Sequence, residues 1–293
     1  MRLSDASLAE VRDRGFTIVP GFLDADTLAE AREAMWKIHP KPEDYFADPD
    51  QYAAYARSQF AGIRVFPYED WALSRLPVYP DTIDAIERLS GTDDIEVYKI
   101  ELWAKYSGAT DYDQAHHRDF GNHTLVVPRE DGDHTQYTTF LLLSDVTEED
   151  GPTKLVPVQY TRDTPLWPPQ QPMGAFADEE VSVTGPAGSL MIYRTSVMHR
   201  GSGFTAPNRA RFAMLIDYQT RGWQWNGKMS WPDKANHPGF RQALTRMTPR
   251  ERDLFGWPPA GSPYWNAQTL RDVAVRYPHM DLSPYAEGVS EQA

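Results

Sequence analysis

Apolar and polar positions follow two regimes along this chain: helical spacing up to about residue 94, then strand-like runs to about residue 221. In the first regime, residues 8–14 predict a short helix closed by Gly15, and residues 16–22 an extended segment. Asp24 or Asp26 can cap a second helix over 27–39, with Leu28, Ala31 and Met35 on one face. Residues 40–80 are rich in Pro, Tyr and Asp and show no period, which predicts irregular cover with one helix near 52–58. Ile83, Ile86 and Leu89 mark an amphipathic helix over 81–89, stopped by Gly91.

The second regime predicts strands at 95–103, 125–127, 137–146, 154–157, 180–184, 189–194 and 211–218. Gly/Pro-rich turns join them, without helical crossovers. The expected fold class is therefore mainly β with flanking helices, an antiparallel sandwich or jelly roll. The link 147–152 suits a hairpin, and 161–172, with four prolines, a loop over a pocket. Past Gly222, Trp223, Trp225, Trp231, Trp257 and Trp265 sit among prolines and read as packing residues. Thr248 and Glu251 form a capping box with Pro249 at the first helical position. Nothing isolates this tail. The expectation is one catalytic domain over 1–293: a helical buttress to about 94, a core over about 95–221, and an extension packed on it.

Composition narrows the function classes. The chain has 293 residues, 41% hydrophobic and 24% charged, within the range of ordinary globular proteins. It has no cysteine, which removes thiolate metal sites, iron–sulfur clusters and cysteine nucleophiles, and fits a reducing compartment. A formal charge of −13 without a Lys/Arg run argues against nucleic acid and anionic membrane as partners. No apolar run approaches a membrane span, and the first residues lack a secretory layout, so the expected location is cytoplasmic. The sequence carries no signal of oligomeric state.

The chemistry centres on His117 and Asp119. Two residues apart on extended backbone, their side chains leave one face and can meet at one point. A second, distant histidine would complete the two-histidine, one-carboxylate facial triad of non-haem Fe(II) oxygenases; His199, after a strand and before a Gly-rich turn, is the candidate. A second His-x-Asp, His279 and Asp281, has no histidine after it and reads as a surface accident. An oxo-acid cosubstrate needs a guanidinium for its distal carboxylate, and Arg209 and Arg211 both qualify, sharing strand parity. Thr138 and Ser202 offer helping hydroxyls. His116 points away from His117 and reads as structural or solvent-facing. His123 is a pocket-lining candidate, while His39, His134, His237 and His279 read as surface residues. On the residues alone, a non-catalytic metal-binding β-sandwich and a His/His/Asp zinc hydrolase stay open beside the oxygenase.

Taken together, these segments resemble the phytanoyl-CoA dioxygenase family of Fe(II)/2-oxoglutarate-dependent oxygenases, over about residues 8–219. The likeness rests on the opening 14–23, on His117 and Asp119, on 142–157, on 185–193 followed by His199, and on 208–212. It departs in two places. The family's Pro-Gly-Ser-His is Pro157, Val158, Gln159, Tyr160 here, and the turn after His199 is one residue longer through Arg200. The resemblance implies a cupin-like double-stranded β-helix, with Fe(II) on His117, Asp119 and His199 and 2-oxoglutarate on Arg211, helped by Thr138 and Ser202. It also implies O2 as co-reactant, a small-molecule substrate, and release of succinate and CO2. Halogenating relatives lack the ligating carboxylate; Asp119 is present, so hydroxylation is the implied outcome.

Overall fold

The computed structural model describes residues 2–109, 111–119, 135–221, 231–234, 237–287 and 289. His123, His134, Trp223, Trp225 and the strand expected at 125–127 lie outside them. The chain divides into two compact units: residues 1–65 with 80–229, and residues 66–79 with 230–293.

Among the described residues the first unit holds nine strands: β1 (Phe16–Val19), β2 (Ile63–Val65), β3 (Ile95–Tyr106), β4 (Gln136–Leu142), β5 (Thr153–Leu155), β6 (Val181–Ser182), β7 (Leu190–Arg194), β8 (His199–Gly201) and β9 (Ala210–Thr220). Six form one antiparallel sheet in the order β1-β7-β4-β9-β3-β2, and three form a smaller sheet, β6-β5-β8. This is the two-sheet architecture of a double-stranded β-helix. The 147–152 link is not a hairpin. It carries the chain from β4 in the large sheet to β5 in the small one, because β4 pairs with β7 and β9 while β5 pairs with β6 and β8. A capping box between Thr147 and Asp150 shapes the link. Gly151, at φ 57°, closes it where a Cβ would meet the backbone of Ser202 and Gly203.

Helices cover the outer face of the large sheet. Asp24, not Asp26, caps the helix Ala25–Met35, its carboxylate accepting from Thr27 N at 2.8 Å. Phe212 of β9 meets Trp36 edge-on at 4.8 Å, and Tyr106 of β3 stacks on Tyr45 at 3.9 Å. His39, expected at the surface, is buried there: Nδ1 lies 2.9 Å from the Tyr55 hydroxyl, and burial pushes the imidazole down to about 3. Residues 40–65 are more regular than expected, with the helix Pro42–Ala47, a 3-10 segment Pro49–Ala56, and β2.

The second unit joins the C-terminal helices to residues 66–79, which hold the short helix Trp71–Ser74. Phe66, Trp231, Phe240 and Phe255 interlock with ring centroids 5.2–6.1 Å apart. Trp265 packs on Tyr285 at 4.5 Å, so the described tryptophans of the tail serve packing. The Thr248–Glu251 capping box opens the helix Pro249–Asp253. No helix among the described residues is long and apolar enough to cross a membrane.

Candidate metal centre

His199 opens β8, and Leu155 of β5 sits opposite it in register. On its other side the chain at His117 pairs with it: His117 N donates to His199 O at 2.8 Å, and His199 N to His117 O at 2.9 Å. Residues directly opposite in such a pair share a face, so both imidazoles point the same way. The rings lie 4.5 Å apart between centroids. Asp119 joins them, and the ligand atoms of His117, Asp119 and His199 all fall within 4.8 Å of one another. The decoy His279 is exposed and takes no part.

The imidazoles are oriented by backbone. His117 Nδ1 lies 2.9 Å from Ala115 O, and His199 Nδ1 3.1 Å from Val197 O. A carbonyl can only accept, so Nδ1 carries the proton and Nε2 keeps its lone pair. Both Nε2 atoms face the carboxylate: His117 at 3.8 Å from Asp119 Oδ1, His199 at 3.3 Å from Oδ2. Tyr193 of β7 donates to Oδ2 at 2.9 Å and fixes the carboxylate from the third side. Burial lowers the His117 pKa. At His199 burial is outweighed by Asp119, and the pKa is raised. Two neutral-capable Nε2 atoms and one carboxylate around one point suit an octahedral divalent ion such as Fe(II).

Tyr193 belongs to a polar row across the large sheet. Register aligns Tyr193, Thr138, Asp217 and Lys99 on one face. Thr138 Oγ1 donates to Asp217 Oδ1, and Lys99 Nζ lies 3.0 Å from Asp217 Oδ2 and 3.7 Å from Glu101 Oε2. All four are buried. Burial opposes charge on Lys99, yet the two carboxylates hold its pKa above the usual lysine range. Burial pushes Asp217 up to about 6. Thr138 thus spends its hydroxyl proton on Asp217, and Ser202 donates its own to Pro152 O at 2.7 Å.

The two arginines separate clearly. Arg209 grips Asp150 at two points, 2.7 and 3.0 Å. Arg211 lines a cavity between the sheets with Phe140, Leu142, Val146, Thr153, Val183 and Ala213. Its guanidinium donates to the Gly151 carbonyl and pairs with no carboxylate among the described residues; burial pulls it down to about 10. Opposite it in register stands Lys105, buried beside the Trp103 and Tyr112 rings. Burial and Arg211 push the Lys105 ammonium down to about 7. Lys99, Lys105, Tyr193, His116 and Glu180 were all missing from the candidate site residues. Parity along β3 could have grouped the two lysines, had the inward face been known.

The family profile of phytanoyl-CoA dioxygenase (PhyH) matches residues 11–212. The chain belongs to the phytanoyl-CoA dioxygenase family. With the family come the enzyme class, an Fe(II)- and 2-oxoglutarate-dependent dioxygenase, and its cofactors: iron, 2-oxoglutarate and O2. No curated protein sequence matches the chain. Solved structures with a similar fold include the non-haem α-ketoglutarate-dependent carbocyclase SnoK from nogalamycin biosynthesis. It is 19% identical at a TM-score of 0.54, covering 81% of this chain and 92% of that one. EctD from S. alaskensis is 18% identical at 0.54, covering 78% and 82%. EvdO2 from Micromonospora carbonacea var. aurantiaca, complexed with 2-oxoglutarate, is 12% identical at 0.56, covering 75% and 92%. At these identities the structural likeness shows the fold.

Proposed function

We propose that this phytanoyl-CoA dioxygenase family member hydroxylates an unactivated C–H bond of a small molecule: R–H, 2-oxoglutarate and O2 become R–OH, succinate and CO2. His117, Asp119 and His199 would hold the iron, which when bound supplies the activation of O2 that organic side chains lack. The observation that carries this reading is the pair of Nδ1–carbonyl contacts, which aim both Nε2 lone pairs at the Asp119 carboxylate.

The chain's own share is orientation and exclusion of water. Tyr193 holds Asp119, and Leu155, packed with Phe16 and Tyr193, walls the site with apolar surface. Arg211 is the holder for the distal carboxylate of 2-oxoglutarate: a buried guanidinium fork with no carboxylate partner of its own among the described residues. Its placement supports this. Thr153 lines the Arg211 cavity, and Leu155, two residues along β5, pairs with His199, so about 7 Å of strand separates the two ends. A five-carbon diacid spans such a gap. Thr138 and Ser202 act here by holding Asp217 and by tying the end of β8 to the start of β5. The absence of cysteine fits work in a reducing cytoplasm.

The test is His199→Ala in anaerobically prepared protein. Loss of both Fe(II) binding and substrate-dependent succinate formation is expected. Metal affinity equal to wild type would rule out the assigned ligand set. Iron-loaded protein that neither binds nor turns over 2-oxoglutarate would rule out the oxygenase.

A further inference from the structure

The turn after His199 is longer by Arg200, and the structure shows what that residue reaches. Its Nε and Nη2 both contact the Glu180 carboxylate, Nη2 at 3.0 Å, and Nη1 meets Asp113 Oδ1 at 2.7 Å. Glu180 closes the 161–180 loop, and its side chain is only 6% exposed. Its Oε1 lies 2.8 Å from His116 Nε2, and its Oε2 3.5 Å from Lys154 Nζ. Burial would raise the Glu180 pKa, but Arg200 holds it below the usual range. One carboxylate therefore collects the residue before His117, the residue after His199, and β5.

We propose that Glu180 is a positioning residue for the metal centre, an ionic node that sets the distance between its two histidine-bearing segments. This rests on the reading of His117, Asp119 and His199 as ligands. Backbone hydrogen bonds join the two segments at His117 and His199, at Gln114 N to Gly201 O (3.0 Å) and at Asp119 N to Thr195 O (3.3 Å). These bonds hold the two backbones together, and ligand atoms must in addition keep their places to within about 0.5 Å. Glu180 adds a side-chain tie to the backbone ones, joining the outward neighbour of each histidine at a common point. Arg200 is suited to this because its planar fork fixes direction as well as distance.

The loop is built into the same node. Gln171 N donates to His116 O at 2.8 Å, and Arg118 N to Pro169 O at 3.0 Å. The buried Arg118 guanidinium donates to Ser196 O at 2.9 Å, Pro165 O at 2.8 Å and Thr164 O at 3.3 Å. Residues 164–171 are thus tied directly to the ligand segment.

The experiment titrates apo full-length protein with Co(II), reading affinity and the ligand-field spectrum, for wild type, Glu180→Gln and Arg200→Lys. Losing a residue that orients ligands costs about 10–100-fold in metal affinity, and that loss, with altered visible bands and unchanged far-UV circular dichroism, is expected for Glu180→Gln. Wild-type affinity and spectrum in a merely less stable Glu180→Gln would overturn the proposal and leave the ligand assignment standing. Wild-type protein that binds no Co(II) would overturn both. Should Glu180→Gln fail to fold, Arg200→Lys keeps the charge and loses the fork. A roughly tenfold weaker affinity supports the node, and an unchanged one refutes it.

Discussion

Lys99 and Lys105 stand six residues apart on the same face of β3, equally buried, and meet opposite fates. Lys99 lies between Asp217 and Glu101, which hold its ammonium charged. Lys105 faces Arg211 and two aromatic rings, and burial beside a like charge drives it down to about 7. The arginines of the neighbouring segment repeat the contrast: Arg209 is satisfied by Asp150, while among the described residues Arg211 donates to the Gly151 carbonyl and pairs with no carboxylate. Satisfied cations hold the fold; Arg211, which lines the cavity and has Lys105 opposite it in register, leaves positive potential for an anion. The difference lies in which strand each one faces, not in residue type.

The comparison is broken most severely at its satisfied end. Lys99→Met leaves Asp217 and Glu101 buried without a counter-charge, and a loss of about 3–5 kcal/mol is expected in denaturant unfolding. Replacing Asp217 by Leu in the same chain should recover much of that loss, since two apolar groups then stand where an ion pair stood. A double variant as unstable as the single one would show that Lys99 does not act through Asp217.

At the unsatisfied end, Arg211→Gln would remove the two-point, charge-assisted grip proposed for 2-oxoglutarate. Such bonds are worth about 1.5–3 kcal/mol, so anaerobic 2-oxoglutarate affinity should fall by roughly 10–100-fold. Stability should change far less. Unaltered affinity would place the cosubstrate elsewhere.

Lys105→Met sharpens the contrast through pH. The folded pKa of Lys105 is depressed, so between about 7 and 10.5 the unfolded chain binds more protons and stability rises with pH. The penalty is complete below about 7 and gone above the unfolded value. Lys105→Met should therefore be the more stable protein at pH 6, by up to a few kcal/mol at about 1.4 per pKa unit, and should lose that advantage by pH 10.5. A pH-independent difference would mean that the ammonium is not desolvated.

This face of β3 also shows where the sequence stops being readable. Tyr98, Ile100, Leu102, Ala104 and Tyr106 alternate with Lys99, Glu101, Trp103 and Lys105, a pattern that reads as one buried and one solvated face. In the fold Lys99, Glu101 and Lys105 are buried as well, against Asp217, Arg211 and the Tyr112 ring. The meeting of His117, Asp119 and His199 was more legible: two are local, with shared parity, and the third follows a strand into a turn. Arg200 was visible only as an extra residue, since its partner Glu180 lies across the small sheet. The 147–152 link looked like a hairpin because turn chemistry is local, while the choice of sheet is made by long-range register.

The smallest effect tests the satisfied arginine. Arg209 is 36% exposed while its partner Asp150 is buried and keeps bonds from Thr147 N and Oγ1, so losing the guanidinium is expected to cost about 1–2 kcal/mol. Arg209→Gln should lower stability by no more than that and leave 2-oxoglutarate affinity within about twofold of wild type, for Arg211 sits one strand repeat away and keeps its fork. Measured side by side, the two variants separate the charges by partner and not by position. Both arginines lie near the same stretch of chain, Arg209 on Asp150 and Arg211 on the Gly151 carbonyl. If Arg209→Gln instead weakened 2-oxoglutarate as much as Arg211→Gln, the link between β4 and β5 would be transmitting the loss. The cavity's positive end would then have to be understood as one coupled unit of Asp150, Gly151 and both guanidiniums.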